Sequence, residues 1–266
     1  MFIYAGAYSI AKANGLPLHF YDFNNFKDVF HITSRLINRS KIEHFRGLKV
    51  KETVGYNENQ FNISKDSETL LKSFFWSWRY FKKYENDIRK EFSFQPEIMV
   101  KAKAILELQT KDNIQRNGHE RTTLVGVHVR RGDSVLASLQ RLGRVQPPLT
   151  FYYKAMDYYK QICGENTLFV YCSDGIKWVK TNLRNVTANY NMVFMDTRNS
   201  WAVDMAILTL CDHSVVSSGT FGWWAAYLTG GTVIHYKDIA REGSEIRSWY
   251  SNNVDDYLYP GWITME

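Results

Sequence analysis

Short apolar runs alternate with longer amphipathic segments from residue 122 to residue 236. A short apolar or β-branched run is typical of a buried strand, whereas an apolar stripe that repeats every three or four residues is typical of a helix. The runs predict strands over residues 124–129, 168–172, 192–195, 214–217 and 232–236. The segments between them predict four helices, which end near residues 163, 183, 211 and 228. This alternation predicts an α/β fold with a doubly wound parallel sheet.

The first 121 residues are less regular. Their pattern predicts a helix over 1–15, a strand over 17–21, and helices over 28–36, 67–88 and 95–111. The stretch from 111 to 123 is polar and contains Gly118, which is typical of a linker. The 266 residues are enough for one large domain or two small ones, and this linker would be the boundary between two.

Polar and charged residues follow the predicted strands of the second domain. Right-handed crossovers place all strand-to-helix loops of a parallel sheet at one edge, and open α/β sheets bind their ligands at that edge. The residues that the pattern places there are Arg130, Arg131, Ser173, Asp174, Asp133, Asp196, Ser217, Ser218 and Thr220. A binding site is therefore expected at this edge.

Two arginines, Arg130 and Arg131, directly follow the strand at 124–129. A guanidinium presents paired donors and keeps its charge, which suits it to phosphate. Gly132 then permits a tight turn before Asp133. The alternative interpretation is an Arg-Gly-Asp turn at the surface that makes ordinary salt bridges.

The last predicted helix begins after Ser217-Ser218-Gly219-Thr220. Helix N-termini carry unpaired N–H groups and a partial positive charge, and so bind phosphate. Alternatively, Ser218 or Thr220 only caps the helix. Because this helix start and the two arginines share one edge, the combination favours a diphosphate site. The chain contains no GxxxxGK[ST] loop and no GxGxxG turn, which disfavours a P-loop NTPase and an ordinary NAD enzyme.

Three titratable residues are candidates for chemistry. His128 and Asp133 lie nearest the arginines, and either type of side chain can act as a general base within hydrogen-bond reach of a hydroxyl. His128 could equally be a core histidine, and Asp133 could pair with an arginine. Asp204 could accept a hydrogen bond from a purine or ribose, or be a solvated acid in the first turn of its helix.

Composition narrows the class of ligand. The 266 residues include 33 Lys and Arg against 27 Asp and Glu, a net charge of +6. Such a balance suits a polyanion, a nucleotide phosphate or a membrane surface. The basic residues are scattered, which favours one local phosphate site over a nucleic-acid surface. The three cysteines form no CxxC pair, and no Asp-x-Asp pair follows a strand, so we predict no metal site.

No segment of the sequence predicts a membrane span or a secretion signal. No run approaches the roughly 18 uncharged apolar residues that a span needs, and residues 1–15 lack a basic leader. We expect no nucleic-acid partner, and membrane association only through an anchor absent from this chain. Sequons at Asn38, Asn62 and Asn185 permit a luminal location.

Several motifs together resemble the galactoside 2-alpha-L-fucosyltransferases. They read H-V-R-R-G-D at 128–133, S-D-G-I-K-W at 173–178, D-M-A-I-L-T-L-C-D-H at 204–213 and S-S-G-T-F-G-W-W-A-A-Y-L-T-G-G at 217–231. The opening fifteen residues look like that family's N-terminal helix, and the resemblance is thin from 22 to 110. It implies a two-domain, GT-B-like enzyme without metal or cofactor. Such an enzyme moves L-fucose from GDP-β-L-fucose to the 2-hydroxyl of a terminal galactose, with inversion.

The resemblance also implies roles for individual residues. Arg130 would grip the β-phosphate and stabilise the leaving GDP, and Arg131 and His128 would support its loop. Asp133 would be the base on the acceptor hydroxyl. The remaining contacts to the diphosphate, the fucose and the nucleoside would come from Ser217, Ser218, Thr220, Phe221 and Asp204.

By the same resemblance, residues 1–121 form an acceptor-side domain, and residues 122–266 form a Rossmann-like domain that binds GDP-fucose. The family's glycine-rich turn, which precedes the residues matching Met1-Phe2, is absent from this chain. The resemblance places the enzyme in the Golgi lumen or membrane, with a galactose-terminated glycan as acceptor. Two rival hypotheses remain. The missing turn favours a catalytically inactive relative that binds GDP-fucose or glycan, and the many aromatics and arginines would suit a basic nucleic-acid module.

Overall fold

The computed structural model describes residues 1–21, 25–37, 55–66, 68–116, 122–183, 189–250 and 253–266, and the backbone of residues 49–53. The chain forms two compact units. The first comprises Met1–Gln95 and Ser248–Pro260, and the second comprises Pro96–Arg247 and Gly261–Glu266. This division differs from the predicted boundary at residue 121, because the helix at 96–116 packs against a helix of the second unit.

Short elements make up the first unit. They are α1 (Phe2–Asn14), β1 (His19–Tyr21), β2 (Arg35–Ile37), β3 (Lys49–Thr53), β4 (Thr69–Ser73) and α2 (Glu85–Glu91). Strand β1 pairs with β2, and β3 pairs with β4, both in parallel. The predicted helix over 1–15 and strand over 17–21 are confirmed. Helix α1 ends at Gly15, which is left-handed with φ +65°.

The helices predicted over 28–36 and 67–88 are wrong. Residues Arg35–Ile37 form β2, because they pair with β1. Residues Thr69–Ser73 form β4, and Phe75 then takes a positive φ of 51°, which a helix interior does not accommodate. The aromatic spacing that imitated a helix instead supplies rings to one-turn 3₁₀ helices at Trp78–Tyr80 and Lys82–Tyr84.

The second unit alternates strands and helices as the pattern predicts. Its helices are α3 (Pro96–Arg116), α4 (Ala137–Arg141), α5 (Leu149–Cys163), α6 (Ile176–Leu183), α7 (Trp201–Thr209), α8 (Thr220–Thr229) and α9 (Glu245–Trp249), the last of which ends where the chain returns to the first unit. Its strands are β5 (Thr123–Val129), β6 (Thr167–Ser173), β7 (Asn191–Phe194), β8 (His213–Val216), β9 (Val233–Tyr236) and β10 (Ile263–Met265).

The strands of the second unit form one parallel sheet in the order β10-β9-β8-β5-β6-β7. The chain therefore builds outward from β5 to one side through β6 and β7, and to the other side through β8, β9 and β10. The winding reverses between β5 and β8, and open α/β sheets bind their ligands at the carboxyl ends of the strands at such a reversal. The predicted fold class, α/β with a doubly wound parallel sheet, is confirmed.

Candidate active site

The loop that follows β5 carries Arg130 at the reversal of the sheet. Its backbone N–H donates to Ser217 Oγ, at 2.8 Å, and the N–H of Ser217 donates to the carbonyl of His128, at 3.2 Å. These two bonds tie the carboxyl end of β5 to that of β8. The sheet therefore fixes the start of the arginine loop, as the position of Arg130 directly after an apolar strand predicts.

Two carboxylates hold the guanidinium of Arg130. Nη2 donates to Asp133 Oδ1, at 2.6 Å, and Nη1 donates to Asp174 Oδ2. The Arg130 side chain keeps 34% of its surface exposed, and three of its five N–H donors are not engaged by these carboxylates. The predicted alternative for Asp133, a pair with an arginine, is therefore present, and its role as a base stays a prediction.

Arg131 supports the loop from the other side. Its guanidinium lies 3.9 Å from the centre of the Trp178 ring, on α6, in a cation–π contact. Its backbone N–H donates to Asp174 Oδ1, at 2.6 Å. This geometry agrees with a supporting role for Arg131, and direct contact with phosphate stays a prediction.

His128 is a buried side chain beneath this loop. Its ring lies 5.0 Å from that of Phe221, and Nδ1 has no hydrogen-bond partner among the described residues. Burial, helped by the charge of Arg130, lowers the pKa of His128 to about 3. The ring is therefore neutral near pH 7 and too weakly basic to be a good general base, so it fits the supporting role better than the catalytic one.

The N-terminus of α8 opens beside Arg130. Gly219 precedes the helix with φ +83°, a conformation that favours glycine. Ser218 is buried, and its Oγ has no hydrogen-bond partner in the described part of the chain. Thr220 begins the helix and is partly exposed. The free N–H groups of this first turn and an unpartnered hydroxyl can together receive an anion.

Asp204 lies on α7, and it has no hydrogen bond to Arg130, Ser217 or Ser218 among the described residues. Its described contacts are with Asn199, whose Nδ2 donates to Oδ1 at 3.0 Å, and with the thiol of Cys172 through the backbone carbonyl. Burial raises its pKa. The role of Asp204 toward a nucleoside stays a prediction.

Three residues of the site were given no individual role from the sequence, although the pattern placed one of them, Asp174, at this edge. Asp174 and Trp178 belong to the S-D-G-I-K-W motif, whose position after β6 was the available signal. Tyr152, on α5, is buried and shares a hydrogen bond with Ser217, and burial raises its pKa. No local pattern marks Tyr152, because its spacing only indicates the buried face of a helix.

The arrangement can bind an anion and stabilise negative charge. The Arg130 guanidinium, the N-terminus of α8 and the buried hydroxyls of Ser217 and Ser218 lie where the winding of the sheet reverses. No cluster of three or more His, Cys, Asp or Glu side chains suited to a metal occurs within the described ranges. None of the described helices combines the length and apolar character needed to cross a bilayer.

Comparison with known proteins places the chain among the glycosyltransferases. The family model of glycosyl transferase family 11 matches residues 21–266, and the chain belongs to this family. It is 34% identical over 187 residues to galactoside alpha-(1,2)-fucosyltransferase 1 of Oryctolagus cuniculus, across 70% of this chain and 48% of that protein. It is 29% identical over 242 residues to galactoside alpha-(1,2)-fucosyltransferase 2 of Hylobates lar, across 87% of this chain and 66% of that protein.

The chain spans about half the length of the first of these curated relatives. Among solved structures, POFUT1 in complex with GDP aligns with a TM-score of 0.46 and 12% identity, over 89% of this chain and 94% of that chain. The resemblance predicted from the motifs at 128–133 and 217–231 is confirmed by the family match.

Proposed function

We propose that this protein is a GT-B-like galactoside alpha-1,2-fucosyltransferase. It transfers L-fucose from GDP-β-L-fucose to the 2-hydroxyl of a terminal galactose, with inversion and without a metal or cofactor. The observation that carries this proposal is the Arg130 fork beside the open start of α8, at the sheet reversal of a family 11 chain.

The chemistry follows from where charge develops. The acceptor oxygen attacks the anomeric carbon as the bond from that carbon to the phosphate oxygen breaks, so negative charge accumulates on the leaving GDP. The Arg130 guanidinium and the N–H groups at the start of α8 lie where they can stabilise a diphosphate. We assign the remaining contacts to the diphosphate and the fucose to four residues: Ser217, Ser218, Thr220 and Phe221.

We assign Asp133 as the base that takes the proton from the acceptor hydroxyl. Its side chain is 56% exposed, and its one contact among the described residues is with Arg130. When phosphate takes over the Arg130 donors, the Asp133 carboxylate becomes available as a base. Asp204 is assigned to the nucleoside.

Two further assignments concern the setting of the reaction. Residues 1–121 are proposed as the acceptor side, with a galactose-terminated glycan as partner. A Golgi location follows from the family resemblance alone. Of the sequon residues, Asn62 is exposed, which is compatible with a glycan there, whereas Asn38 and Asn185 lie outside the described residues.

The test is turnover of GDP-fucose by the full chain with a panel of β-galactosides in the presence of EDTA, for wild type and Arg130→Ala. We expect a 2-linked product from the wild type, identified by NMR, and its loss in the variant. Binding of GDP-fucose without transfer would favour the inactive relative. A loss of activity in EDTA that Mg²⁺ restores would contradict metal independence. Retention by polyanions with steep salt dependence, and no GDP binding, would favour the nucleic-acid module.

A further inference from the structure

Asp174 holds two consecutive residues of the arginine loop with one carboxylate. Oδ1 accepts the backbone N–H of Arg131, at 2.6 Å, and Oδ2 accepts from Nη1 of Arg130. One contact fixes the backbone and the other fixes the guanidinium. Since both oxygens are used, the carboxylate sets the direction of the Arg130 fork relative to its own loop.

Neighbouring residues hold the Asp174 carboxylate against the arginine loop. A Cβ atom on Gly132 would overlap Asp174 Oδ2, so glycine lets the carboxylate approach the loop without being displaced. Ser173, the preceding residue, donates from Oγ to the carbonyl of Val129, at 2.7 Å, and accepts the N–H of Gly175, at 2.9 Å. These two hydrogen bonds join the ends of β5 and β6 and fix the backbone that carries Asp174.

Asp133 contacts the same guanidinium in a different way. It belongs to the arginine loop itself, three residues after Arg130, and 56% of its side chain is exposed, against 31% for Asp174. It makes one described contact, whereas Asp174 makes two, to separate groups. An incoming phosphate can therefore exchange with Asp133 while Asp174 stays in place.

We propose that Asp174 is a positioning residue that aims Arg130 at the diphosphate of the donor. This inference rests on the proposed function. It assigns Asp174 no contact with the substrate, and its effect passes through Arg130.

A double-mutant cycle tests the proposal on the full chain. Asp174→Asn keeps an oxygen for the Arg131 N–H but removes the charge that orients Arg130. We expect kcat to fall about 10- to 100-fold, since small misplacements of a positioned group have effects of this size. GDP affinity, measured by calorimetry in EDTA, should fall as well. In an Arg130→Ala background, where turnover is expected to be lost, the cycle is read in GDP affinity, which the same change should alter less than about twofold because coupled residues are not additive.

The matched control is Glu165→Gln. It removes the carboxylate of the Lys160–Glu165 pair, at 2.7 Å, in the loop that precedes β6 and so at the opposite edge of the sheet. It should leave kcat and GDP affinity unchanged. If Asp174→Asn lowers the melting temperature more than this control does, Asp174→Glu, which retains the charge, takes its place in the cycle.

The outcomes separate the two proposals. An equal loss from Asp174→Asn in both backgrounds, or no loss in either, would overturn the positioning role while wild-type turnover still supports the transferase. If the wild type shows no turnover, the proposed function fails, and the cycle in GDP affinity still decides the role of Asp174.

Discussion

In the second unit the core lies between a six-stranded sheet and its helices, whereas the first unit is packed largely through aromatic rings. Ring centroids lie 5.0 Å apart for Tyr4 and Phe20, and 5.3 Å apart for Phe30 and Phe92. In the second unit, β6 is buried at every position. One unit thus depends on long, repeated strand pairing, and the other on individual contacts between short elements.

This difference explains where residues that can do chemistry are found. A parallel sheet brings the ends of all its strands to one edge, so Arg130, Asp174 and Ser217, from three strands, meet within hydrogen-bond distance. The first unit has no comparable device among its described residues. Its buried carboxylates, Glu91 and Asp256, are used for structure instead.

The largest effect is expected from Arg130→Lys. Lysine keeps the charge but loses the planar fork that reaches Asp133, Asp174 and the phosphate. Loss of such donors lowers kcat by about 10²- to 10³-fold. Steady-state kinetics measures this, with the exposed Arg116→Lys on α3 as the control. Near-normal turnover would show that charge alone suffices and would weaken the site assignment.

A glycine in each unit sharpens the comparison. A Cβ atom on Gly6 would lie 2.6 Å from Phe75 Cγ, and one on Gly222 would overlap His128 Nδ1. Each alanine variant should lose about 1–3 kcal/mol of unfolding free energy, as overpacked cores do. Chemical denaturation gives this value.

Only Gly222→Ala should also weaken GDP binding, because His128 lies beneath the Arg130 loop. Calorimetry on both variants decides this. Equal GDP affinity for Gly222→Ala and wild type would separate His128 from the function of the loop.

Glu91→Ala tests the first unit alone. The buried carboxylate accepts from Tyr4 Oη, at 2.5 Å, from the N–H of Thr33, at 2.8 Å, and from Thr33 Oγ1. Its removal leaves the buried Tyr4 hydroxyl with Ser34 Oγ as partner and takes the acceptor from the two Thr33 donors, which costs about 1–3 kcal/mol. The exposed Glu68→Ala is the control in the same denaturation series. A matching small loss in both variants would mean that water replaces the carboxylate.

The last prediction is a dependence of stability on pH in the second unit. The pKa of His128 is about 3 and that of His235 about 4, both lowered chiefly by burial from the ordinary 6.5. Below pH 6.5 the unfolded chain binds protons that the folded chain does not, so the free energy of unfolding falls as the pH drops toward 4. Each histidine contributes up to about 1.4 kcal/mol per pH unit.

In His128→Asn the unfolded chain should bind one proton fewer below pH 6.5, so the free energy of unfolding should fall less steeply as the pH drops. Denaturation midpoints from pH 8 to pH 4 measure it, and the flat region above pH 7 is the internal reference. An unchanged slope in the variant would show that His128 titrates normally in the folded chain.

The local pattern of apolar and polar residues was enough to predict most of the strands and helices of the second unit. The apolar runs predicted β5 to β9 to within a residue or two, because strands buried on both faces need such runs. It failed at residues 67–88, where aromatic spacing matched a helix but Phe75 adopts a positive φ and β4 pairs with β3. Pairing with a distant segment leaves no mark on local periodicity, so the first unit was harder to predict.

The sequence by itself determined that two arginines and a serine-rich helix start lie at one sheet edge, since parallel winding puts every strand end there. Only the tertiary structure decided that β8 lies beside β5, and hence that Ser217 holds the backbone of Arg130. It also decided the partner of the fork, because strand order and the close approach at Gly132 bring Asp174 to Arg130. The chemistry of a residue is local, whereas its neighbours are set by the order in which the strands assemble.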